Sequence, residues 1–181
     1  DLLALARHDV NKNLPALFRG ISQLQRHWPQ WIGILRIVGR SGRQTPLVQR
    51  LHKSLPRPEQ VELVDSLPRD LLLARLRSSM ALLSASTEEG FDYPVLEAKA
   101  EGIPTLISDI PVHREFHQGS SLFFPAHDDG SVLASQLQAL IRDRSLWTHL
   151  SCSGLDLARS LTVDAQIAEI SVQINNLSKS C

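Results

Sequence analysis

The chain has 181 residues, 43% hydrophobic and 21% charged, with 19 basic and 19 acidic side chains, the profile of one ordinary globular domain with a substantial core. No apolar stretch approaches the roughly 20 residues of a membrane-spanning helix, no signal-peptide pattern opens the chain, and two cysteines, Cys152 and Cys181, make neither a disulfide framework nor a zinc site. Net charge near zero argues against a nucleic-acid binder, and the expected location is the cytoplasm, either free or peripheral at the cytoplasmic membrane face.

The balance of charge hides an asymmetry. Residues 1–57 carry ten Lys or Arg against Asp1 and Asp9, net +8, and residues 58–181 carry nine against seventeen, net −8. Arg19, Arg26, Arg50 and Lys53 fall where amphipathic helices face water, which accounts for much of the excess; the remainder is compatible with an anion site built from the first segment.

In chain order, short β-branched or leucine-rich runs alternate with stretches of helical period, the pattern of βα units around a parallel sheet. Leu2–Ala6 reads as a strand, Leu14–Arg26 as a helix, Ile32–Val38 as a strand and Pro46–Ser54 as a helix. Val61–Val64, Ala81–Ser84, Thr105–Ser108 and Leu122–Phe124 read as further strands, with helices between them. Pro68 and Pro94 each stand where a first helical turn tolerates a proline, because the missing N–H lacks a partner there anyway. After Asp128 three helical segments, Ser131–Arg142, Leu146–Ala158 and Val163–Leu177, close the chain. The predicted fold is therefore α/β: a Rossmann-like open parallel sheet of about six strands flanked by helices, with residues 1–181 as a single domain. The first strand opens one residue into the chain with no initiator Met, so a further domain upstream is expected, facing the carboxyl edge where such sheets bind ligands.

The segment Ser84 to Pro104, SASTEEGFDYPVLEAKAEGIP, lies between a predicted strand and a predicted helix. Gly90 is able to bring its backbone close to a ligand, Pro94 to open the helix, and the N–H groups of the first turn to meet a phosphate. Glu89 and Glu97, seven residues apart in between, face one cavity at different depths. Carboxylates are poor phosphate partners but good acceptors for sugar hydroxyls, so a nucleotide sugar is the implied ligand. Alternatively, Glu88, Glu89 and Glu97 merely complement a helix N-terminus at the surface.

The run Glu89-Gly90-Phe91, with Pro94, Leu96, Glu97-Ala98, Ala100, Gly102 and Pro104, resembles the E-x7-E signature of the retaining glycosyltransferases of family 4, in the C-terminal, donor-binding half of a GT-B fold. Ala6-Arg7, Lys12-Asn13, Ile37-Val38-Gly39, Ser108 and Glu115 extend the likeness in register over nearly the whole chain. The resemblance implies transfer of a hexose from a nucleoside diphosphate sugar with retention of anomeric configuration. It implies that Glu97 accepts hydrogen bonds from the ribose, that Glu89 accepts them from the transferred sugar, and that Gly90 and Phe91 offer backbone N–H groups nearby. Arg7 and Lys12 then neutralise the diphosphate as it leaves, without an obligatory metal or other cofactor. Pro94, Val95 and Leu96 belong to the same donor-binding turn, Gly39 ends the second strand beside it, and Val64, Asp65 and Ser66 match the stretch that meets the base. The acceptor, a glycan or a lipid-linked acceptor, is implied to sit on an N-terminal domain outside this chain, so that this chain alone binds donor without turning it over.

Three positions depart from the pattern. Asp92 replaces the usual glycine after Gly-Phe, Lys99 a methionine and Ala85 a proline. Asp92 is expected to place a negative charge near the diphosphate or to meet a sugar hydroxyl, and is counted among the donor-binding residues. It is also the one feature favouring a non-catalytic nucleotide-sugar-binding or scaffold domain; a GT-B nucleotide-sugar epimerase is the other alternative. His113 and His117 share a helical face, but with Glu115 between them the order is wrong for a zincin and no third ligand is evident. The Asn176-Leu177-Ser178 sequon is read as chance, Gly39-Arg40-Ser41-Gly42 lacks dinucleotide-fold spacing, and Trp28 and Trp31 are expected to pack at the sheet edge.

Overall fold

A computed structural model describes residues 1–162 of the chain. Six four- or three-residue strands, β1 (Leu2–Leu5), β2 (Leu35–Val38), β3 (Val61–Val64), β4 (Ala81–Ser84), β5 (Thr105–Ser108) and β6 (Leu122–Phe124), form one sheet in the order β3-β2-β1-β4-β5-β6. Every pairing is parallel, with Leu2 opposite Leu35 on one side and Ala81 on the other. Seven helices connect or follow the strands: α1 (Leu14–His27), α2 (Thr45–Lys53), α3 (Arg69–Arg77), α4 (Tyr93–Ala100), α5 (Pro111–His117), α6 (Ser131–Arg142) and α7 (Arg144–Ser160). This is the predicted Rossmann-like α/β architecture.

The strands bury both faces because successive side chains alternate. Leu2, Ala4, Leu35, Ile37, Ala81, Leu83 and Leu106 point to one core, shared with Leu17, Ile21 and Leu24 of α1 and Leu133, Leu137 and Leu140 of α6. Leu3, Val38, Leu82 and Ile107 point to the other, against Leu76 of α3 and Val95 and Ala98 of α4. Prolines stand in the first turns of α1, α2, α4 and α5, where they fix φ without removing a helical hydrogen bond.

Some boundaries differ from the sequence reading. The second strand begins at Leu35, not Ile32: Ile32 is 89% exposed, while the Trp31 indole is buried and folds over Gly33, where an added Cβ would lie 2.7 Å from its Nε1. Helix α7 begins two residues before Leu146 because the Asp143 carboxylate caps it, accepting from the Ser145 and Leu146 N–H groups at 2.8 and 3.1 Å. The predicted Val163–Leu177 helix lies outside the described residues.

Lys99 is the largest departure from an ordinary core. It is 1% exposed, α7 passes over its stem at Gly154, and its Nζ donates to the carbonyl and hydroxyl oxygens of Ser120 at 2.7 and 2.6 Å. Burial pushes its pKa down from 10.5 to about 7. Between about pH 7 and 10.5 the unfolded chain therefore holds a proton that the folded chain has lost, so stability rises with pH across that window, by up to about 1.4 kcal/mol per pH unit. Urea unfolding of wild type and Lys99→Met at pH 7, 8.5 and 10 will show the rise in the first and not in the second.

Candidate functional site

The strand order reverses between β1 and β4, which places a crevice at the carboxyl ends of these two strands. The segments that leave them meet there. After β1 the chain makes a 3-10 turn at Val10–Lys12 and a left-handed residue at Asn13, φ 44°, before entering α1. After β4 it runs through Ala85 to Asp92 into α4. The Thr87 N–H donates to the Asn11 carbonyl at 2.8 Å and joins the two segments.

Lys12 and Glu89, 77 residues apart in sequence, form an ion pair across this junction, and Ser86 Oγ donates to the same Glu89 oxygen at 2.6 Å. Both side chains are largely withdrawn from solvent, 23% and 13% exposed. Arg7, on the same β1 loop as Lys12, is mostly exposed, with its Nε 3.3 Å from the Asp9 carboxylate. It lines a cavity of about 540 Å³ together with Asp9, Asn11, Arg43, Thr87 and Glu88. Glu97 lies one turn into α4, with Arg69 of α3 at 3.9 Å. The cations of the first segment and the carboxylates of the fourth loop thus occupy one rim of the sheet. Arg43, Arg69, Asn11 and Thr87 were not singled out from the sequence; the only signal for Arg69 is a cation just after Pro68, and for Arg43 the basic excess of residues 1–57.

Gly90 is exposed at the loop tip. An added Cβ would meet no protein atom within 4 Å and its φ is not left-handed, so nothing within the chain itself demands glycine there. Phe91 turns its ring away, 4.8 Å from Phe116 and 6.2 Å from His117 between centroids, leaving only its backbone toward the rim. Pro94 offers no N–H, and that of Val95, whose side chain is core, donates to the Asp92 carbonyl at 2.9 Å. The first turn of α4 therefore presents fewer free donors than the sequence suggests. Leu96 is half-buried.

Asp92 corrects an expectation. It adopts φ 59°, is 4% exposed, and turns its carboxylate inward, accepting from Ser84 Oγ at 2.5 Å and from His113 Nε2 at 3.1 Å. A carboxylate with two buried partners adds no open negative charge at the rim. Burial would raise its pKa, but the hydrogen bonds from His113 and Ser84 hold it below the usual carboxylate range. His113 is thus engaged with Asp92 and Ser108, and the His117 ring, pushed down to about 4 by burial with Lys99 and His113 nearby, packs 6.1 Å from it.

Beyond β2 and β3, Gly39, Val64 and Asp65 line a second cavity of about 180 Å³ with His8, Ser41 and Thr45. The Gly39 N–H donates to the Val64 carbonyl at 2.9 Å and the Ser41 N–H to Asp65 Oδ1 at 3.3 Å. Ser66 is exposed and outside this lining. His8 donates or accepts at Thr45 Oγ1 through Nδ1, 3.1 Å away, and its pKa is lowered by burial against the opposing charges of Asp65 and Asp9.

The doubly wound parallel sheet flanked by helices is the fold of the GT-B glycosyltransferases among its structural neighbours. The chain belongs to the family described as glycosyl transferases group 1, whose profile matches residues 1–143. It is 31% identical over 91 residues to the serotype-specific mannosyltransferase WbdA of Escherichia coli, which covers 50% of this chain and 11% of that protein. It is 25% identical over 129 residues to the O-antigen chain mannosyltransferase RfbU of Salmonella typhimurium, covering 71% of this chain and 35% of that one. The chain thus spans about a third of one relative and about a ninth of the other. Among solved structures, the pneumococcal O-GlcNAc transferase GtfA, crystallised with UDP and GlcNAc, superposes with a TM-score of 0.77 at 16% identity, over 97% of this chain and 35% of that one. No helix among the described residues is long and apolar enough to cross a membrane.

Proposed function

We propose that this chain is the donor-binding half of a family 4 glycosyltransferase and that it holds a nucleoside diphosphate hexose for transfer with retention. The observation that carries the reading is the Lys12–Glu89 ion pair, which joins the β1 and β4 loops at the switch point, with Arg7 on the same β1 loop lining a cavity with Asn11 and Glu88. In this reading Arg7 and Lys12 take the diphosphate, and their fixed charge stabilises the leaving group as the glycosidic bond breaks. Glu97 accepts from the ribose, Glu89 from the hexose, and the backbones of Gly90 and Phe91 flank the sugar. The base lies toward Gly39, Val64 and Asp65. Two relatives are mannosyltransferases, so mannose is the first hexose to test. The acceptor, a glycan or lipid-linked acceptor, is assigned to a further domain of a longer protein, and this chain alone is assigned donor binding without turnover.

Calorimetry with GDP, UDP and ADP tests the reading. One of the three will bind, and Glu97→Ala will weaken it by about 1.5–3 kcal/mol, the range for a lost hydrogen bond to a charged group. Arg7→Ala will weaken the diphosphate more than the bare nucleoside; equal losses on both would make Arg7 structural. Turnover by the longer protein will survive a chelator, since the cations of the rim do the work of a metal, and a large loss would overturn that assignment.

A further inference from the structure

The Asp92–His113 pair has no part in the donor contacts assigned above, yet it is almost completely buried under the loop that carries them. His113 is fully buried. Its Nδ1 lies 2.8 Å from the Ser108 carbonyl oxygen and its Nε2 3.1 Å from Asp92 Oδ2. Both neighbours are acceptors. The Ser108 hydroxyl, 3.2 Å from Nδ1, has already given its hydrogen to the Ser86 carbonyl at 2.5 Å. Both ring nitrogens are thus engaged, one by the Ser108 carbonyl and one by the Asp92 carboxylate, whose pKa the contact lowers. Other charged or titratable groups near the pair are Lys12 from the β1 loop, His117 on α5 and Lys99 on α4.

Asp92 is one of two non-glycine residues among those described with positive φ, a conformation that side chains other than Asn and Asp rarely adopt and that local hydrogen bonds hold in place. Ser84 at the end of β4 and His113 on α5 supply those bonds. Phe91, one residue earlier, packs its ring on Phe116 and His117 of the same α5. Two consecutive residues thus tie the loop down onto α5, one by a hydrogen bond and one by aromatic contact, and the next two back along the chain, Gly90 and Glu89, are left at the rim.

We propose that Asp92 and His113 form a positioning pair that sets the height and angle of Glu89 and Gly90 over the bound sugar donor. This rests on the donor-site reading above. The pair contacts no reacting atom; it acts through the backbone of residues 89–92.

The test uses the full-length protein and reads the release of nucleoside diphosphate from GDP-, UDP- and ADP-hexoses with water as acceptor, expressed per folded molecule. Asp92→Asn will lower kcat/KM at least about tenfold. Asp92→Gly, which adopts φ 59° freely, will not restore it, because the tether and not the backbone angle is missing. Nitrogen-15 spectra of the His113 ring will show the Nε2 resonance shift in Asp92→Asn, as its partner changes from a carboxylate to an amide. Wild-type kcat/KM per folded molecule in either Asp92 variant, or an Nε2 resonance unchanged by Asp92→Asn, would overturn the proposal. Should Asp92→Asn not fold, Ser84→Ala removes one of the two hydrogen bonds to the same carboxylate oxygen; about threefold lower kcat/KM supports the pair, and an unchanged value overturns it. Glu97→Ala separates the two levels. If it leaves nucleotide binding unchanged, the donor-site reading fails and the pair's role falls with it. If it weakens binding while the Asp92 variants turn over normally, only the positioning proposal fails.

Discussion

On the donor-site reading proposed above, Lys12→Ala will lower turnover by the longer protein by about 10²–10³-fold, the loss found when one preorganised donor to a developing negative charge is removed. The ammonium is 23% exposed and its position is set by Glu89 before any donor arrives, so little reorganisation is needed when the diphosphate begins to leave. The effect will fall mainly on kcat, because a diphosphate in the ground state retains Arg7 while the extra charge formed on bond cleavage does not find a substitute for Lys12. A drop confined to KM would mean that Lys12 only binds. The partner variant Glu89→Gln will show whether the two act as a unit: a double variant no worse than Lys12→Ala is the expected result, and simple additivity would mean that they work independently.

Gly39→Ala will destabilise the fold by at least about 3 kcal/mol, a value reserved for a few mechanisms of which backbone overpacking is one. The added Cβ would lie 2.0 Å from the Ala6 carbonyl oxygen and 2.3 Å from its carbon. These are main-chain atoms that cannot swing aside. Relief requires β1 and β2 to part at their carboxyl ends, where Ala6 N–H donates to Val38 at 2.9 Å, and that separation carries Arg7 away from the rim. Urea melts and nucleotide calorimetry on the same variant will therefore fail together. Gly90→Ala is the contrast, since no protein atom lies within 4 Å of the new methyl; stability will hold and only donor affinity will fall.

The sheet was legible because its cause is local. Continuous apolar runs such as Leu2–Leu5 and residues 81–83, buried on both faces, and prolines in the first turns of α1, α2 and α4, are written in short stretches of sequence. Ile32 was misread as strand because an apolar side chain is taken as buried, whereas here the Trp31 ring takes the space over Gly33. At the site, the residue types that converge on the rim were legible from their positions just after strands. Their pairings were not: Lys12 with Glu89, and Arg69 with Glu97, depend on loop paths. Asp92 was the clearest failure. A left-handed backbone turns its carboxylate from the rim to His113, 21 residues away, and no spacing rule encodes that turn. Its burial also removes the one feature that favoured a scaffold without activity.

The main-chain hydrogen bond from Thr87 to Asn11 has a consequence for anyone who wishes to exchange the β4 loop of this protein for that of a relative. Neither stretch is an independent module: a graft that imports only the Glu89 segment inherits a neighbour shaped for a different occupant. Successful chimeras must exchange residues 6–13 and 85–92 as one cassette.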